Sequence, residues 1–123
     1  MLETAARRGQ LEIVRLLLRV GVNPTYPIGG DRPLHFACKL GNLPIAELLL
    51  ENGADIDAIT KSLNWKWTPL HITVWIKNTS ITKLLLKNRC KINVKNHDGL
   101  TALELTLKKR YLDGVKQLAF HDE

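Results

Sequence analysis

The sequence predicts an all-α solenoid of stacked helix–turn–helix units, and three observations carry that expectation. Leucine triplets stand at Leu16–Leu18, Leu48–Leu50 and Leu84–Leu86, offset by 32 and 36 residues. Upstream of two of them lies the same tripeptide, Pro33-Leu34-His35 and Pro69-Leu70-His71, and Ala102 follows Pro69 by 33 residues. Glycine recurs where each helix must end, at Gly9 and Gly41 and again at Gly21 and Gly53. A period near 33 marks a repeated supersecondary unit, which can bury its apolar face only by stacking on its neighbours.

Taken in order, the repeats fall at approximately 1–26, 27–59, 60–94 and 95–123, forming one domain. The first enters partway through a unit, at Leu2. The second opens on Pro33, which sits well at a first helical position because its missing N–H would be unbonded there anyway. Arg32 before it is a poor cap. The third repeats this arrangement with Thr68 before Pro69, and Thr68 can cap the helix. The fourth carries Thr101 and Glu104 at capping-box spacing, so the glutamate can reach back to the Thr101 amide. In the second helix of each unit, residues such as Ile45, Leu48 and Leu49 share one face at helical spacing.

The segments Arg32-Pro33-Leu34-His35-Phe36-Ala37 and Thr68-Pro69-Leu70-His71 resemble the T-P-L-H-x-A signature of ankyrin repeats. The stretch from Gly41 to Ala58 is similar to the second half of such a unit. The resemblance covers nearly the whole chain, with two well-matched central repeats and two degenerate terminal ones, as expected of caps. It implies an ankyrin-repeat solenoid with projecting β-hairpin loops. It also implies a scaffold, adaptor or inhibitor that grips another protein through hairpin tips and the concave helical face.

Departures from the pattern gather in the second half. Lys77 and Arg110 replace the glycines of positions 9 and 41, and Arg89 replaces those of 21 and 53. A left-handed backbone costs a non-glycine residue roughly 1–2 kcal/mol. Thr73 and Val74 stand where small alanines let helices approach. These features predict that the carboxyl-terminal half is the less stable one. The connection between the second and third repeats is about three residues longer than the period requires, and the surplus falls within 59–67.

Charge is equally uneven. The formal net charge is +6, yet residues 61–94 alone hold seven basic and no acidic side chains. The same repeat contains all three tryptophans. In the ankyrin register Trp65 and Trp67 lie at a hairpin, with Trp75 and Ile76 on the outward side of a first helix. Equivalent positions in the other units are Arg7 and Arg8, Lys39 and Leu40, and Lys108 and Lys109. Aromatic residues and arginine dominate interface hot spots. The expected anchor is therefore Trp65, Trp67, Trp75 and Ile76, with Leu40 beside it. Lys39, Lys66, Lys108, Lys109, Arg7 and Arg8 supply charge selection, and His97 a further hairpin contact. The expected partner is a protein with an apolar anchor and an acidic rim.

Other chemistry finds little footing. His35 and His71 occupy one repeat position and read as side chains bonded to neighbouring backbone, while His121 lies in the tail. Cys38 and Cys90 are too far apart and too few for a disulfide framework and have no neighbour at metal-ligand spacing, which points to reduced thiols in the cytoplasm or nucleus. Gly29-Gly30 lacks the context of a phosphate loop. No apolar run reaches the ~18–20 residues of a membrane span. No enzyme, cofactor or metal site is expected, and the molecule reads as a monomer. Nucleic-acid binding through the basic, tryptophan-bearing third repeat is the competing reading; a structural spacer within a larger polypeptide is another.

Overall fold

The computed structural model describes residues 2–25, 31–60, 65–110 and 112–119. Its helices come in four pairs. They are α1 (Leu2–Arg7) with α2 (Leu11–Arg19), α3 (Pro33–Leu40) with α4 (Leu43–Glu51), α5 (Pro69–Trp75) with α6 (Thr79–Lys87), and α7 (Ala102–Lys108) with α8 (Leu112–Ala119). Each first helix packs on the next first helix, and each second helix on the next second helix. The first-helix row is the more closely packed. Residues 26–30 and 61–64, which include the two-glycine stretch and much of the lengthened connection, lie outside the described residues, as does His121.

Local chemistry accounts for the helix ends. Thr68 Oγ1 accepts the His71 N–H at 3.2 Å, and the Thr101–Glu104 box closes with the Thr101 N–H donating to Glu104 Oε1 at 2.9 Å. That amide holds the Glu104 carboxyl below its ordinary range. The second helices use caps of another kind: Asn42 Oδ1 accepts the Ile45 N–H at 3.1 Å and Asn78 Oδ1 the Ile81 N–H at 2.9 Å. The turns are left-handed as the repeat demands, with φ of 72° at Gly41, and of 64°, 61° and 56° at Lys77, Arg89 and Arg110. Lys66 adopts the same conformation, with φ of 57°.

The core runs continuously through the stack, with Ala5, Ala37, Ile45, Leu49, Leu70, Ile81 and Leu85 wholly or almost wholly buried. The larger residues at the α5 crossing are accommodated. Thr73 is fully buried, its hydroxyl donating to the Leu70 carbonyl at 3.2 Å and lying 3.0 Å from Thr82 Oγ1. Histidines tie α3 and α5 to the loops that follow α4 and α6. His35 Nδ1 accepts the Arg32 N–H at 3.0 Å, leaving Nε2–H to donate to the Ala58 carbonyl at 2.8 Å. His71 repeats this with Thr68 N–H at 3.1 Å and the Leu100 carbonyl at 2.9 Å. Burial lowers both ring pKa values below 6.5, so both rings are neutral at pH 7.

Candidate protein-binding surface

The projecting loops carry no strand among the described residues, yet hydrogen bonds hold them in register. In the loop before α5, the Thr60 N–H donates to the Trp67 carbonyl at 2.8 Å, and the Trp67 N–H donates back to Thr60 Oγ1 at 3.0 Å. In the next loop Asn96 Oδ1 accepts the Asp98 N–H at 2.9 Å and the Leu100 N–H at 3.0 Å. The two loops are joined by the His97 N–H, which donates to the Trp65 carbonyl at 2.8 Å. Backbone pairing thus sets the tryptophan loop against the His97–Asp98 turn.

The three tryptophans form one cluster with Trp67 at its centre. Its ring centroid lies 5.5 Å from that of Trp65 and 5.5 Å from that of Trp75, the latter in an edge-on arrangement of 72°. Trp67 also approaches His71, at 6.2 Å. It is only partly exposed and packs on the core, so it supports the cluster from beneath. The exposed members are Trp65 at 49%, Trp75 at 39% and Ile76 at 41%. A groove of about 320 Å³ runs between the tryptophans, Ile72, Ile76 and Thr60, bordered by Asp31 and Lys39.

The cations expected around this anchor divide into two kinds. Lys66 and Lys108 are exposed. Lys39, by contrast, is paired with the buried Asp31 at 2.8 Å and sits 5.2 Å from the Phe36 ring centroid. Lys109 Nζ donates to the Trp75 carbonyl at 2.6 Å and lies 4.1 Å from the centre of the Trp75 ring. Both therefore help to build the surface as well as charge it. Arg7 packs over Phe36 at 5.7 Å, one unit away from the groove, and Arg8 and Leu40 are exposed. His97 is exposed beside Trp65 and lines a second hollow with Asp98. Sequence reasoning passed over Asp31 and Thr60. Neither belongs to a repeat motif, and their importance comes from partners eight and seven residues away.

Acid–base and metal chemistry find no constellation here. Both cysteines are buried and unpaired. Burial pushes the Cys90 thiol up to about 12 and Cys38 still higher, so neither is a nucleophile at neutral pH. Among the described residues no group of three or more His, Cys, Asp or Glu side chains could hold a metal ion, and no helix is long and apolar enough to cross a membrane.

The paired helices, the histidine ties and the left-handed turns are those of an ankyrin stack, and the family model for ankyrin repeats in three copies matches residues 1–60 and 57–123. The chain belongs to the ankyrin-repeat family. It is 30% identical to a fowlpox virus (strain NVSL) ankyrin repeat protein, FPV031, over 96% of this chain and 35% of the viral protein. It is 31% identical to mouse ankyrin repeat and SOCS box protein 11, over 85% of this chain and 32% of that protein. Against the mouse 85/88 kDa calcium-independent phospholipase A2 it is 28% identical over 91% of this chain and 13% of the enzyme. The chain thus spans about a third or less of these relatives. Ankyrin repeats are in general protein–protein interaction modules and typically not enzymatic, although enzymes such as this phospholipase carry them.

Proposed function

We propose that this chain is a protein-binding module of scaffold, adaptor or inhibitor type that grips its partner through the loops and outward face of the third repeat. The observation that carries this reading is the apolar groove of about 320 Å³ beside exposed Trp65, Trp75 and Ile76. Exposed aromatic surface held in place by backbone hydrogen bonds offers an interface anchor at little further cost in ordering. Lys66 and Lys108 select a partner with an acidic rim, with Arg7 and Arg8 extending the positive field along the array. The combination of ankyrin repeats and a SOCS box in the name of the mouse relative is in keeping with an adaptor. Two buried, unpaired thiols support a reducing compartment, cytoplasm or nucleus.

Nucleic acid fits this surface less well. The rings of Trp67 and Trp75 meet edge-on and Lys109 already covers Trp75, which leaves no row of open faces for stacking bases. A passive spacer would have no need of a groove lined by tryptophan in water.

Selection of binders from a random displayed-peptide library tests the proposal. Enriched peptides should carry a large apolar residue flanked by Asp or Glu, and Ile76→Asp should abolish their binding. Binders that survive both Ile76→Asp and Trp65→Ala would place the interface elsewhere.

A further inference from the structure

A second hollow, of about 270 Å³, lies on the other side of the tryptophan cluster, lined by Trp65, Trp67, Trp75, His97 and Asp98. Its chemistry differs from that of the apolar groove. Exposed Trp65 supplies an electron-rich face, and Asp98 supplies a carboxylate that has no ion pair or side-chain hydrogen bond among the described residues. Asp98 is exposed, so its charge carries little desolvation penalty. It is also held in position, because its N–H is bonded to Asn96 Oδ1 and the neighbouring His97 N–H to the Trp65 carbonyl.

We infer that this hollow receives the guanidinium of an arginine from the protein partner, stacked on Trp65 and paired with Asp98. The molecule already shows the attraction involved: the Lys109 ammonium rests 4.1 Å from the Trp75 ring centre, and Arg7 lies over Phe36. The seven basic residues of 61–94 raise the cost of bringing any cation here. That cost favours a cation with a second source of affinity and weak hydration. Guanidinium has both, since its planar fork pairs with a carboxylate through two N–H donors while its face lies on an aromatic ring. An ammonium is a strongly hydrated point charge and gains less.

Because the two hollows share the three tryptophans, the arginine and the apolar anchor must be neighbours on the partner. That the guanidinium belongs to a protein partner rests on the reading of the tryptophan face as a protein-binding surface; guanidinium binding in the hollow does not.

The test follows tryptophan fluorescence and the indole N–H resonances of the whole chain during titration with N-acetyl-arginine amide, N-acetyl-lysine amide and N-acetyl-citrulline amide. The arginine compound should saturate in the millimolar range and perturb Trp65, with its lysine and neutral citrulline counterparts roughly tenfold weaker. Asp98→Asn, a change at an exposed turn, should weaken arginine binding by about tenfold and leave citrulline unaltered. Glu12→Gln, which removes an exposed carboxylate on α2, should leave arginine binding intact. Equal binding of arginine and citrulline, equal binding of arginine and lysine, indifference to Asp98→Asn, or no saturable binding would each overturn the site. Arginine binding without any selected peptide would instead remove the docking reading alone.

Discussion

His71 shows how much rests on one ring. Its two nitrogens link the start of α5 to the carbonyl of Leu100 at the head of the next unit, and only the neutral tautomer serves both bonds. Its pKa in the fold lies below 6.5 because burial disfavours the charged ring, and the same holds for His35. An unfolded chain then binds more protons than the folded one between the lowered pKa and about 6.5. Stability is fully present above about pH 6.5 and declines as pH falls through the folded values. Urea titrations between pH 8 and pH 5 should show that decline, and His71→Gln should flatten it. Gly41 carries a different constraint. Its φ is 72°, and an added Cβ would lie 2.9 Å from Asn78 Nδ2, so Gly41→Ala should cost at least about 1–2 kcal/mol. Conversely, Arg89→Gly should stabilise by about 0.5–1 kcal/mol, the relief of strain at its φ of 61° less the freedom glycine gains on unfolding. Chemical denaturation checks both.

Among the helices, equal register does not mean equal energy. Ile13, Ile45 and Ile81 occupy the same position in α2, α4 and α6, yet Ile13 is 43% exposed while the other two are fully buried. The helices α4 and α6 each pack on a preceding second helix, whereas no described element precedes α2 in that row. Ile13→Lys should therefore change stability by less than about 0.5 kcal/mol, and Ile81→Ala should cost roughly 2–5 kcal/mol. Asn78 is the element's other support, and Asn78→Ala should remove about 1 kcal/mol with the loss of the α6 cap. Thermal or urea melts of the three variants compare them directly.

Over the whole molecule the four units share one core, but its strain is unevenly distributed. Among the described residues, the four non-glycine positions with left-handed backbone, Lys66, Lys77, Arg89 and Arg110, all lie in the second half. Native-state amide exchange should be faster across α5–α8 than across α1–α4, and uniform protection would refute this. The binding surface belongs to this scale too, because it draws on loops from two units. Trp65→Ala should lower affinity for a selected partner peptide by about 2 kcal/mol or more, and Lys108→Ala by less; calorimetric titration decides.

The sequence alone determined the solenoid, its period, the left-handed turns and the basic, tryptophan-rich third unit. Each of these depends on residues close together in the chain, and the proline, histidine, threonine and glycine positions are read by local geometry. It also placed Trp65 and Trp67 at a hairpin and Trp75 and Ile76 on an outward face. The tertiary structure decided how those side chains are used. Trp67 became a support because His71 and two other indoles surround it. Lys39 and Lys109 became parts of the surface through Asp31 and Trp75, and Asp98 joined the tryptophans through a bond between separate loops. The reason is physical: repeat periodicity fixes which direction a side chain leaves its helix, whereas partners from different units meet only after stacking has brought them within hydrogen-bonding range.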